Sequence, residues 1–127
     1  MKEFMLLIRN LGGSTRAMSA SQHTAFVKEC EVYIEQLKKD GNLISAQPLI
    51  REGRVLSGSE GSWKESPLKP DKEIQVGYYH ILASDINEAV GIAKRNPEFR
   101  YTASAKIEVR PIKTREENTG FVYPKGE

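Results

Sequence analysis

Hydrophobic positions along this chain switch between a period of two and a period near 3.6, and they do so twice. Phe4 to Ile8 is a short continuous apolar run closed by Arg9-Asn10 and a Leu-Gly-Gly-Ser turn, which predicts a strand buried on both faces. Residues 12–20 are small and polar, a loop. From residue 21 to Lys39, Phe26, Val27, Cys30, Tyr33, Ile34 and Leu37 recur at the i, i+3, i+4, i+7 spacing of one helical stripe. Ser19 or Ser21 is placed to cap that helix and Gly41 to end it. Asn42 to Arg51 reads as a second strand, irregular at Pro48. The Glu52-Gly53 turn would return Arg54 to Ser57 as its short hairpin partner.

The strongest strand signal is residues 74–83, IQVGYYHILA, rich in β-branched and aromatic side chains. The preceding residues 63–73 are polar and interrupted by Pro67 and Pro70. Counting by twos puts Ile74, Val76, Tyr78, His80 and Leu82 on one face, with Gln75, Gly77, Tyr79, Ile81 and Ala83 on the other. Both faces are largely apolar, so this strand wants cover on both sides. Asp85, with Glu88 three residues on, opens a second helix whose stripe is Ile86, Ala89, Val90 and Ala93, closed by Pro97. In residues 104–112, Ala105, Ile107 and Val109 alternate with Lys106, Glu108 and Arg110, a strand with one buried face.

That order predicts an α+β fold, the ferredoxin-like split β-α-β sandwich with two helices on one face of an antiparallel sheet. Two helices cover only one face. The other needs a partner, and the same face of a second copy across a two-fold axis is the simplest, which predicts a homodimer. The competing expectation is that the tail, residues 114–127, folds back over its own sheet. Phe121, Val122 and Tyr123 in that polar tail predict that it docks on something. Residues 1–113 form the domain proper.

A chain of 127 residues suits one domain with a real core. The net charge of +2 is spread over 19 basic and 17 acidic residues, with no basic stripe, so nucleic acid is not an expected partner. The N-terminal apolar run is too short for a signal peptide or a membrane span, and the expected setting is the cytoplasm. With one cysteine and two histidines, neither a disulfide within the chain nor a multi-ligand metal site is expected, and no cofactor is implied.

The segments KEFMLLIRN, LKKDGNLISAQPL, KEIQVGYYHILASDINEAVGIAKRNP and KIEVRPI resemble the YCII-related family, and most closely its Asp-Gly-Pro-Phe (DGPF) branch. The likeness runs from about residue 2 to residue 113. It implies the ferredoxin-like fold and pairing of two chains as a dimeric α/β barrel. Where that branch has Asp-Gly-Pro-Phe, this chain has Glu65-Ser66-Pro67-Leu68, and His23 does not align with the helix histidine assigned to acid/base work in another branch.

His80 is the candidate catalytic residue, a general acid/base inside a barrel cavity; the bland alternative is a hydrogen-bonded histidine of core or interface. Lys72, Glu73, Glu108 and Arg110 are candidate ligand-binding residues at the barrel mouth, against the alternative of ordinary cross-strand ion pairs. Tyr78 and Tyr79 point to opposite faces, and Tyr78 is a further ligand candidate. Cys30, mid-helix, reads as a core residue rather than a nucleophile. Ser14, Ser66 and Gly12-Gly13 read as turns. Two functions remain open: a dimeric module holding a small organic molecule without catalysis, and a small cofactor-free enzyme using His80 on an aromatic or lactone-like substrate. The second needs a carboxylate within about 3.2 Å of a His80 nitrogen, or one water away. A purely structural partner-binding protein would have no cavity.

Overall fold

In the computed structural model, which describes residues 1–11, 18–69 and 71–125, the chain runs through six strands and three helices. These are β1 (Lys2–Leu11), α1 (Ala20–Lys39), β2 (Leu43–Pro48), β3 (Arg54–Ser59), β4 (Ser62–Pro67), β5 (Glu73–Ala83), α2 (Ile86–Lys94), α3 (Glu98–Tyr101) and β6 (Lys106–Pro111). The turns expected at Gly12-Gly13 and Ser14, together with Pro70, lie outside the described residues.

Four strands form an antiparallel sheet in the order β2-β5-β1-β6. Each β-α-β unit therefore straddles a strand of the other, which is the ferredoxin-like arrangement. Pro48 and Pro111 close the two outer strands, where a missing N–H costs no ladder bond. Ser19 caps α1 in a capping box with Gln22, and Asp85 accepts from the Glu88 amide to start α2. Both helices lie on one face. There Phe4, Leu6, Ile8, Tyr79, Ile81 and Ala83 of the sheet meet Tyr33 and Leu37 of α1 and Ala89, Ile92 and Ala93 of α2. The two alanines bring α2 close, and the Tyr33 hydroxyl donates to the Ile92 carbonyl at 2.7 Å, tying α1 to α2.

Three expectations change. Simple alternation along β5 fails because of a bulge: Ile8 pairs with Gly77 but Arg9 pairs with Gln75, leaving Val76 as the extra residue. The parity flips there. Ile74 and Val76 join Tyr79, Ile81 and Ala83 in the core, while Tyr78, His80 and Leu82 keep the opposite face. Second, β3 does not pair back onto β2. It pairs with β4, in the stretch expected to be irregular, as a separate exposed hairpin. Gly58 (φ 107°) and Gly61 (φ 82°) make this turn possible, and a Cβ at Gly58 would lie 2.2 Å from the Ser62 carbonyl oxygen. Pro97 does not simply close a helix. It starts the short α3, whose Arg100 and Tyr101 both hold Glu29 of α1.

Candidate functional site

β5 carries His80 to the face of the sheet that the helices leave open. Glu3 pairs with Leu82 and Met5 with His80, so Glu3 and His80 are diagonal neighbours across β1 and β5. His80 Nε2 lies 2.8 Å from Glu3 Oε1, and Lys125 of the tail places its Nζ 2.6 Å from Glu3 Oε2. The Glu3 side chain is only 7% exposed and that of His80 16%. The Lys125 hydrogen bond, helped by His80 and opposed by burial, holds the Glu3 carboxyl below the usual carboxylate range. An ionised carboxylate only accepts, so the proton between the two sits on His80 Nε2. Glu3 is thus stabilised as an anion, which makes it a weak base.

Further along the same face, the anticipated carboxylate cluster forms with Arg110 as expected, but with Arg9 and Lys106 in place of Lys72. Lys106 reaches Glu73 at 3.0 Å, Arg9 bridges Glu73 and Glu108 at 3.7 Å each, and Arg110 meets Glu108 at 3.6 Å. Glu73, Glu108 and Arg110 are therefore brought together, joined by Arg9 and Lys106. Lys72, exposed in the turn before β5, joins no ion pair among the described residues. Tyr78 lies half-buried on this face opposite Leu7. The Lys106 contact lowers the Glu73 carboxyl. These pairs are partly exposed, and water screens such pairs so that each adds little to stability.

The tail comes back only in part. A bridge between Arg115 and Val122 folds it on itself, and Lys125 reaches Glu3, but Phe121, Val122 and Tyr123 remain exposed. Met5, Leu7, Tyr78 and Leu82 on this face are half-buried.

The helix-covered face holds something different, a cavity of about 470 Å³ between α1 and the sheet. Phe26, Cys30 and Ile34 line it from α1, Ala46 from β2, and Val76 and Tyr79 from β5. Ala46 presents only a methyl group to it, and Gly77 lets β2 come close, since a Cβ there would lie 3.2 Å from the Gln47 carbonyl oxygen. Burial pushes the Cys30 thiol up to about 11, so it stays protonated and unreactive near neutrality, in keeping with a core role.

The most deeply buried polar groups of the cavity wall come from the end of α2 and the start of α3. Asn96 and Glu98 are almost fully buried, and Glu98 meets Asn10 of β1, which is completely so. Asn10 Nδ2 donates to Glu98 Oε2 at 3.2 Å, the Ser104 hydroxyl donates to Asn10 Oδ1 at 2.6 Å, and the Glu98 amide donates to Asn96 Oδ1 at 2.9 Å. Burial raises the Glu98 carboxyl above the usual range, only partly opposed by Asn10, Arg51 and Thr102. His80 does not line this cavity.

Sequence reasoning missed Glu3, Lys125, Asn96 and Glu98. Glu3 and Lys125 are joined to His80 by strand register and chain return, which no local pattern reports. A faint signal existed for the others: a polar Asn10 ending an apolar strand, and Asn96-Pro97-Glu98 where a helix stops. Among the described residues no cluster of three or more His, Cys, Asp or Glu side chains could hold a metal ion, and no helix is long and apolar enough to cross a membrane. Compared with protein-family models and with curated proteins, the chain matches none.

Proposed function

We propose that this chain binds a small organic molecule in the chamber between α1 and the sheet, without chemistry of its own, as a cytoplasmic homodimer of the YCII-related, DGPF-like kind. The chamber carries the reading: about 470 Å³, mostly apolar walls and a few convergent polar groups are the features of small-molecule sites. The absence of an activated nucleophile in its wall favours binding over catalysis, since Cys30, the thiol there, is held protonated. The half-open face with Met5, Leu7, Tyr78 and Leu82 supports pairing of two sheets, and the resemblance to dimeric α/β barrels points the same way. The free cysteine suits a reducing compartment.

The competing reading uses His80 as an acid/base. It has its carboxylate, Glu3, at 2.8 Å. Against it, Lys125 shares that carboxylate and the chamber lies on the other side of the sheet. Deuterium exchange into an enol lactone that is lost in His80→Gln would revive it.

The direct test of the binding reading is the fluorescence of 1-aminoanthracene, a neutral apolar dye. Wild-type protein should enhance and blue-shift its emission with saturable binding. Cys30→Trp, which fills the chamber from α1, should abolish the effect while leaving the circular dichroism unchanged. Equal binding by the folded variant, or none by the wild type, overturns the proposal.

A further inference from the structure

We infer that the chamber is shaped for a neutral, mostly apolar carbonyl compound whose oxygen is received by the Glu98 carboxyl and the Asn96 amide. The inference rests on the proposal that the chamber is a binding site, and it names the chemistry of the occupant.

Two polar groups in the wall have bonding capacity left over. The Glu98 amide donates to Asn96 Oδ1, and this fixes which end of the Asn96 amide is oxygen. The Nδ2 end is buried and has no hydrogen-bond partner, although the side chain lies near enough to the Tyr33 and Tyr79 hydroxyls to bear on their ionisation. A buried amide N–H₂ without an acceptor is a costly arrangement in a native protein. Glu98 is similarly half-used. Its Oε2 accepts from Asn10 Nδ2 and from the Thr102 hydroxyl, and among the described residues no hydrogen bond falls on Oε1. Burial favours the neutral form of this carboxyl, and a neutral carboxyl has an O–H to give. Both leftover groups are donors. Their common complement is an acceptor without a proton of its own, such as a carbonyl oxygen.

Charge and shape narrow the class further. Glu31 and Glu98 line the cavity against Arg51 and the exposed His23, so neither sign of net ligand charge finds an uncontested partner. An anion would meet the Glu31 carboxylate. An ammonium would meet the Arg51 guanidinium and the Asn96 N–H₂. The remaining wall, Phe26, Ile34, Val76 and Tyr79, is suited to an aromatic or alicyclic body.

Four matched probes separate the possibilities: benzophenone, 1,1-diphenylethylene with a methylene in place of the carbonyl oxygen, diphenylacetate, and diphenylmethylamine. Dissociation constants are measured by ligand-observed NMR on the full chain. The expected result is that the ketone binds at least tenfold more tightly than the alkene, and both charged probes more weakly than the ketone. Glu98→Leu and Asn96→Leu should each bring the ketone down to the alkene without changing the alkene. Glu98→Gln, which keeps a donor and is the mildest change, should retain most of the preference. If the alkene equals the ketone, or an ion binds best, the assigned class is wrong while the chamber stands. If none of the four binds, the chamber reading falls and takes this inference with it.

Discussion

The two faces of the sheet are built by alternation from the same strands, and yet they handle polar groups in opposite ways. On the helix-covered face, Asn96 and Glu98 are buried with donors or oxygens to spare, and Glu98 is pushed toward its neutral form. On the open face, Glu3 is nearly as enclosed but carries two partners, His80 and Lys125, and is pushed toward its charged form. One face keeps unspent hydrogen-bonding capacity beside a cavity; on the other the Glu3 carboxylate is fully engaged, and a donor left over is Arg9 Nε, beside the Glu73 and Glu108 carboxylates. This difference places the binding reading under α1 and makes His80 a held residue rather than a free acid/base.

The largest expected effect separates the faces by packing. Leu6 and Leu7 are adjacent on β1, with Leu6 completely buried under the helices and Leu7 half-buried on the open face. Leu6→Ala leaves a cavity in a closed core and should cost about 2–5 kcal/mol in urea unfolding. Leu7→Ala should cost less than about 1.5 kcal/mol in dilute protein, because water already reaches its site. If two open faces pair, the cost of Leu7→Ala should grow with protein concentration, since association stabilises only the native state. A cost independent of concentration would remove the dimer from the proposal. Equal costs for the two variants would erase the distinction between the faces.

The next effect is electrostatic and concerns the covered face. The Glu98 pKa is raised in the folded state, so the native protein holds this proton more tightly than the unfolded chain does. The stability this supplies is fully present below the ordinary carboxylate pKa and is lost as pH rises through the raised one. Glu98→Gln cannot ionise and should escape that loss. Above the usual carboxylate range, wild type should therefore weaken with rising pH relative to the variant, in thermal unfolding followed by circular dichroism. Parallel pH profiles would mean that Glu98 is solvated.

Much of this contrast was legible beforehand, and its gaps have physical causes. The helix stripe through Phe26 and Leu37, the caps at Ser19 and Asp85, and the split β-α-β order follow from local periodicity and local hydrogen bonding. The bulge at Val76 does not, because a one-residue slip leaves composition unchanged while moving Ile74 and Val76 into the core. The hairpin of β3 and β4 was hidden by its polarity: with every residue exposed, it shows no hydrophobic alternation. His80 was visible as a candidate, but its partner Glu3 was not. Their meeting depends on β1–β5 register, which is set by the whole sheet rather than by either segment. The chamber is less legible still, since it lies between α1 and the sheet and depends on how the two pack, which no local pattern reports.

The smallest expected effect tests the open face. Lys125 lies at the far end of the tail, its side chain 59% exposed, and its contact is the first cause of the lowered Glu3 pKa. A lowered carboxylate pKa contributes stability above the ordinary carboxylate range and loses it as pH falls through the lowered folded value. Lys125→Met should raise the Glu3 pKa toward the ordinary range without restoring it fully, because His80 remains in place. The variant should therefore lose less stability than wild type on acidification. The change in overall stability near neutrality should be small, because water screens the exposed Lys125 ammonium and His80 still holds Glu3. Carbon-13 NMR titration of the Glu3 carboxyl reads the shift directly. An unmoved Glu3 would mean that His80 alone holds the carboxylate. His80 and Glu3 would then be a pair open to a substrate on that face, and the difference between the two faces would narrow to packing.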